Sequence, residues 1–81
     1  MFGLATGGYH YGNLKNMKMN DAIEKMRINK STGYITLFDF DMCYVAHRRF
    51  TSVKQRKEIM ESWERVYKLD DKSYYILISH D

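Results

Sequence analysis

Between Val53 and Leu69 the apolar residues recur at helical spacing. Wound at 100° per residue, Val53, Ile59, Met60, Trp63, Val66 and Tyr67 share one sector of roughly 140°, the width of a core-facing helix. Ser52 precedes them as an N-cap, and Gln55 three residues on completes a capping-box pattern. Lys57/Glu61, Glu61/Arg65 and Glu64/Lys68 lie four apart on the opposite face, the spacing of supporting ion pairs. Arg56 interrupts the apolar stripe one turn before Met60. Either its stem covers apolar surface while its head reaches the rim, or the guanidinium is aimed at a partner beside the helix start.

The period changes on both sides of this helix. Tyr34–Phe40 is dense in aromatic and β-branched residues and follows Gly33, which predicts a strand. Cys43–Phe50 predicts a second strand, after a turn of two residues (Asp41-Met42) or four (Asp39–Met42). Both loop lengths preserve the pleat, so Tyr34, Thr36, Phe38, His47 and Arg49 share a face. Ile35, Leu37, Arg48 and Phe50 share the other. Lys72–Ser79 predicts a third strand, apolar on both faces. The short links at Thr51 and at 70–72 fit a strand–helix–strand crossover. Upstream, Asn20–Asn29 predicts a short helix with Asn20 as its cap, followed by a loop over Lys30–Gly33. Met1–Asn16 holds four of the five glycines and no sustained period, and predicts a flexible or loosely docked arm.

The expected fold is therefore a small single α+β domain over residues 17–81, preceded by the arm at 1–16. Its element order is α-β-β-α-β, with a three-stranded mixed sheet and one long amphipathic helix packed on one face. The strand order second–first–third puts Tyr34–Phe40 in the centre. The other sheet face needs cover from the short helix, the arm or a second chain.

Composition narrows the class. The 81 residues are 44% hydrophobic and 15% aromatic, enough for one packed core near the lower size limit of a domain. Seven Tyr and six Met suit adaptable contact surfaces as well as cores. The single cysteine, Cys43, cannot form an internal disulfide and points to a reducing compartment. No apolar run has the length of a membrane span, and the N-terminus lacks the pattern of a secretory signal. A cytoplasmic protein with no membrane contact is expected.

Charge is mild overall at +3 but segregated along the chain. Arg48, Arg49, Lys54, Arg56 and Lys57 form a run of positive charge with no acid among them, and His47 adjoins it. The run spans the end of a strand and the start of the main helix, where free backbone N–H groups already favour anions. It is the strongest candidate for a binding surface. Tyr9, His10 and Tyr11 in the arm are candidates for ordering on contact.

Other constellations carry less. Asp39 and Asp41 stand about 7 Å apart if the strand continues, but no third ligand at recognisable spacing supports a metal. Cys43 and His47 share a strand face about 13 Å apart, too far for one metal ion or a nucleophile pair. Gly7–Gly12 lacks the preceding strand and following helix start of a phosphate-binding loop. No cofactor follows from the sequence.

The functional expectation is a non-enzymatic protein-binding domain, of inhibitor or adaptor type, acting through Arg48, Arg49, Lys54, Arg56 and Lys57 with His47, Tyr9, His10 and Tyr11. Another protein is the leading partner, and self-association as a homodimer is open. The alternative is nucleic-acid binding through the same patch. Against it stand the alternating acids and bases on the rest of the helix face, which would repel a phosphate backbone. A small RNA-cleaving toxin using His47 is the third reading. Size and composition resemble those of small toxins and phage-encoded inhibitors, a likeness of class without shared residues. The element order differs from the helix, three strands, helix of double-stranded-RNA-binding domains.

Overall fold

The computed structural model describes residues 9–14, 19–26, 28, 30–69 and 74–80. Six elements follow in order: β1 (Tyr9–Asn13), α1 (Met19–Met26), β2 (Gly33–Asp39), β3 (Tyr44–Phe50), α2 (Val53–Tyr67) and β4 (Tyr74–His80). The α+β class and the central place of β2 are as expected. The sheet has four strands rather than three, in the order β1-β4-β2-β3. All its pairings are antiparallel, so it is not mixed.

The fourth strand comes from the stretch read as an arm. Tyr9–Asn13 pairs with Tyr75–Ser79 of β4, and the Leu14 N–H donates to the Tyr74 carbonyl at 2.7 Å. Leu14 is fully buried. The glycines that argued against a strand have a packing reason at Gly12. A Cβ there would meet the Met26 side chain of α1, so the missing side chain lets the helix approach β1. Residues 1–8 and 15–16 of the expected arm lie outside the described residues, as do residues 70–72 of the expected crossover.

α2 begins and ends for local reasons. The Ser52 hydroxyl accepts from the Gln55 N–H at 3.0 Å. The Gln55 amide oxygen reaches back to the Thr51 N–H at 2.7 Å and the Thr51 hydroxyl at 3.0 Å. This is a capping box displaced by one residue. Lys68 closes the helix in the left-handed conformation at φ 53°, and the buried Leu69 follows. Met60 and Trp63 are buried, and Val53, Ile59 and Tyr67 are half-buried. Val66 stands 63% exposed and leaves the expected stripe. The true stripe centres on Arg56, Met60, Trp63 and Tyr67, and Val66 lies at its margin, about 80° from Arg56 at 100° per residue.

The β2–β3 turn has four residues, Phe40–Cys43, one residue later than the expected Asp39–Met42, so Cys43 belongs to the turn and not to the strand. The Asp39 carboxylate accepts from the backbone N–H groups of Asp41 and Cys43, both at 2.9 Å. Its role is to hold the turn. Met42 is left-handed at φ 63°. The register slips between Leu37 and Phe38, so Phe38 faces Tyr44 instead of Val45.

α1 and α2 pack on the same side of the sheet. The core joins Ala22 and Ile23 of α1, Met60 and Trp63 of α2, and Ile35, Leu37, Phe50, Ile76 and Ile78 of the strands, with Leu14, Ile28 and Leu69. The short helix therefore does not cover the second sheet face. Gly33 sits in the end row of the packed face, between His80 and Phe50.

Candidate functional site

The strand registers align the second face into three rows across the sheet. One row runs Tyr9, Ser79, Tyr34, Arg49. The next runs Tyr11, Leu77, Thr36, His47. The last runs Asn13, Tyr75, Phe38, Tyr44. Among the described residues no element lies over these rows. Their members in β2 and β4 are half-buried, and Tyr9, Tyr11 and Tyr44 are exposed by 41%, 46% and 64%.

Rings on this face are already paired. His47 lies parallel to Tyr34, with centroids 5.2 Å apart and planes 13° off. The Arg49 guanidinium carbon sits 5.0 Å from the Tyr34 centroid, a cation–π distance. The Thr36 hydroxyl and the His47 Nδ1 are 2.8 Å apart, a contact that orients the imidazole. Toward the β1 edge of the same face Tyr11 stacks on Tyr75 at 5.5 Å and 21°. The β2–β3 turn leans over this end, where the Tyr11 hydroxyl donates to the Met42 sulfur at 2.8 Å. Burial, with a smaller contribution from Tyr75, pushes the Tyr11 hydroxyl above its ordinary value of 10.0. Tyr11 therefore stays a neutral donor at working pH.

The charge on this face has one sign. β1, β3 and β4 contain no Asp or Glu, and the only acid of β2, Asp39, is held by the turn. Glu58, Glu61 and Glu64 are on α2, behind the sheet. An aromatic surface with one cation, Arg49, and no carboxylate can stack on flat rings and accept an anionic ligand.

The expected basic run does not form one patch. Strand parity sends His47 and Arg49 to the open face and Arg48 to the packed side, beside Ile35. Arg48 there lines a cleft against α2 with Gln55, Glu58, Ile59, Ser62 and Trp63. Lys54 and Lys57 are exposed on the outer side of α2, alongside Glu58 and Glu61. Arg56 is core, at 2% exposure. It donates to the carbonyls of Lys30 at 3.1 Å and Ile28 at 3.3 Å, with its guanidinium 5.7 Å from the Phe50 centroid. Desolvation lowers its pKa from the ordinary value, and the Glu24 charge opposes that. Arg56 thus ties the α1–β2 connection to α2.

Tyr9 and Tyr11 belong to the open face, whereas His10 points to the packed side. There its ring meets that of His80 edge-on at 5.0 Å and 67°. Among the described residues no cluster of three or more His, Cys, Asp or Glu could hold a metal. Cys43 is exposed in the turn. No helix of the described residues is long and apolar enough to cross a membrane.

Sequence reasoning did not single out Tyr34, Thr36, Phe38 and Tyr75 as site residues. Their signal was present as alternation in strands apolar on both faces. Such alternation reads the same whether a face is covered or open. Comparison of the chain with family models, characterised proteins and solved structures gives no match.

Proposed function

We propose that the protein is a non-enzymatic binding domain that takes a flexible single-stranded nucleic acid on the open sheet face. The observation that carries the reading is the group His47–Tyr34–Arg49 on an uncovered face free of carboxylates. Bases expose their flat faces only when unpaired. Each base stacked on an aromatic side chain is worth about 1–3 kcal/mol whatever its identity. Arg49 and the net charge of +3 supply attraction for phosphate. The acids of α2, which argue against nucleic acid when the helix is taken as the docking face, are behind the sheet from this surface. A duplex buries its bases and offers the face nothing to stack on.

The test is fluorescence anisotropy of labelled random single- and double-stranded DNA and RNA at ~50 and ~200 mM salt. Micromolar affinity for single strands, weaker affinity for duplexes and a shallow salt slope support the reading. No single-strand binding at the lower salt overturns it. A second reading, a protein-binding adaptor or inhibitor, is favoured by the outer edge of β3, which carries cations of the expected basic run.

A further inference from the structure

β3 ends the sheet. It pairs with β2 on one side, and among the described residues nothing pairs with its other side. Alternate N–H and C=O groups of an edge strand point outward and can accept another strand. The slip opposite Leu37/Phe38 disturbs the start of β3, leaving Ala46–Phe50 as its regular part.

The cleft next to this edge has a volume of about 290 Å³. Ile59 and Trp63 give it an apolar floor, and Gln55, Glu58 and Ser62 a polar rim. Arg48 borders it from the edge strand. Its guanidinium makes a long 3.4 Å bond to the carbonyl of its own neighbour, His47. Main-chain pairing plus a pocket for alternate side chains is how extended peptides dock on sheet edges.

We infer that the outer edge of β3 and the adjoining Trp63 cleft receive an extended acidic peptide as a fifth strand. Charge decides the occupant. His47, Arg48 and Arg49 are consecutive on the edge, with cations on both faces and no acid in the strand. An incoming strand with one acid opposite Arg48 and the next opposite Arg49 meets a cation on each face. An apolar residue next to the Arg48 partner, on the same face, enters the cleft against Ile59 and Trp63. A second copy of β3 is the poorer occupant, because antiparallel self-pairing brings two Arg48-Arg49 pairs together, and like charges across strands are destabilising.

The probe is a fluorescein-labelled hexapeptide, Thr-Glu-Glu-Leu-Glu-Val, whose second and fourth residues share one face and whose third lies on the other, titrated into the isotope-labelled full chain. Amide shifts centred on Ala46–Phe50, and weakening of roughly fivefold or more on Arg48→Glu, support the inference. A version with Lys in place of Glu, and one N-methylated on alternate amides, should bind at least about tenfold more weakly. No shift up to about 1 mM peptide, equal binding of the Lys version, or shifts confined to residues outside β3 and the Trp63 cleft overturn it. So does light scattering that shows a dimer whose contact protects the β3 edge. Arg48 is absent from the open face, so Arg48→Glu should leave single-strand nucleic-acid binding within about twofold. Failure of the peptide and failure of the nucleic-acid reading are thereby read separately.

Discussion

His47 and Tyr34, on neighbouring strands, hold their rings parallel at 5.2 Å, with the Thr36 hydroxyl 2.8 Å from the imidazole Nδ1. The pair is built before any ligand arrives, so a ligand that stacks on it has little side-chain freedom left to remove. Removing the ring should therefore act on affinity more than on the fold. Tyr34→Ala is expected to weaken single-strand binding by about 1–3 kcal/mol, that is roughly five- to over a hundredfold, in anisotropy at ~50 mM salt. Far-ultraviolet circular dichroism should stay native. Arg49→Gln should instead lower the salt slope by about one phosphate contact. Unchanged affinity in both variants would remove this face as the site.

Arg56 makes a different prediction from the other cations of its run. Its guanidinium satisfies the carbonyls of Ile28 and Lys30 from inside the core. Arg56→Leu keeps an apolar stem but leaves both acceptors without these donors, at about 1–3 kcal/mol for each buried group left unsatisfied. A drop of roughly 2–4 kcal/mol in urea unfolding is expected. Lys54→Ala and Lys57→Ala, on the exposed face of α2, should stay within about 0.5 kcal/mol of the parent. Equal stability of all three variants would show that Arg56 is not a core tie.

β1 is held by its pairing with β4 and by Leu14, which is fully buried. Hydrogen exchange should show protected amides within Tyr9–Asn13. Leu14→Ala is expected to cost about 2–5 kcal/mol. It should speed exchange in β1 before β2, because β1 is an edge strand and β2 is central. Amides in Tyr9–Asn13 that exchange at free-peptide rates in the unaltered chain would return this stretch to the status of an arm.

Two glycines separate strain from packing. At Gly33, with φ at 157°, a Cβ would collide with the Ser79 carbonyl on the neighbouring strand. At Gly12 the nearest obstacle is the end of the Met26 side chain, at 3.1 Å, which can rotate away. Gly33→Ala should therefore cost roughly 3 kcal/mol or more, or prevent folding, and Gly12→Ala about 1 kcal/mol or less. Urea midpoints measure both. The reverse order would contradict the close approach of β2 and β4.

Much of the fold was legible in the chain because its causes are local. The apolar spacing of Met60, Trp63 and Tyr67, and the hydroxyl of Ser52, specify α2 within a few residues. The alternation around Ile35 and Leu37 specifies β2, and a hairpin followed by a crossover helix favours β2 as the strand between β3 and β4. The class and the central strand followed from these features alone. Parity along Cys43–Phe50 also placed His47 and Arg49 on the face of Tyr34 and Thr36, since a strand alternates sides whatever surrounds it.

Tertiary structure decided the rest, for reasons that act between distant residues. β1 is short and contains Gly12, so its own pattern is weak, and it becomes a strand through the edge of β4 and the space Gly12 leaves for Met26. Whether Tyr34, Phe38 and Tyr75 are core or surface depends on where α1 packs, and α1 joins α2 on the far side of the sheet. Arg56 can be buried only because the backbone supplies carbonyls at Ile28 and Lys30, more than twenty residues away in the chain. The same parity that carries Arg49 to the open face turns Arg48 into the α2 cleft, so a continuous run of cations in the sequence is dispersed over four environments in space. Periodicity specifies which side of an element a residue occupies, whereas only packing specifies what lies on that side.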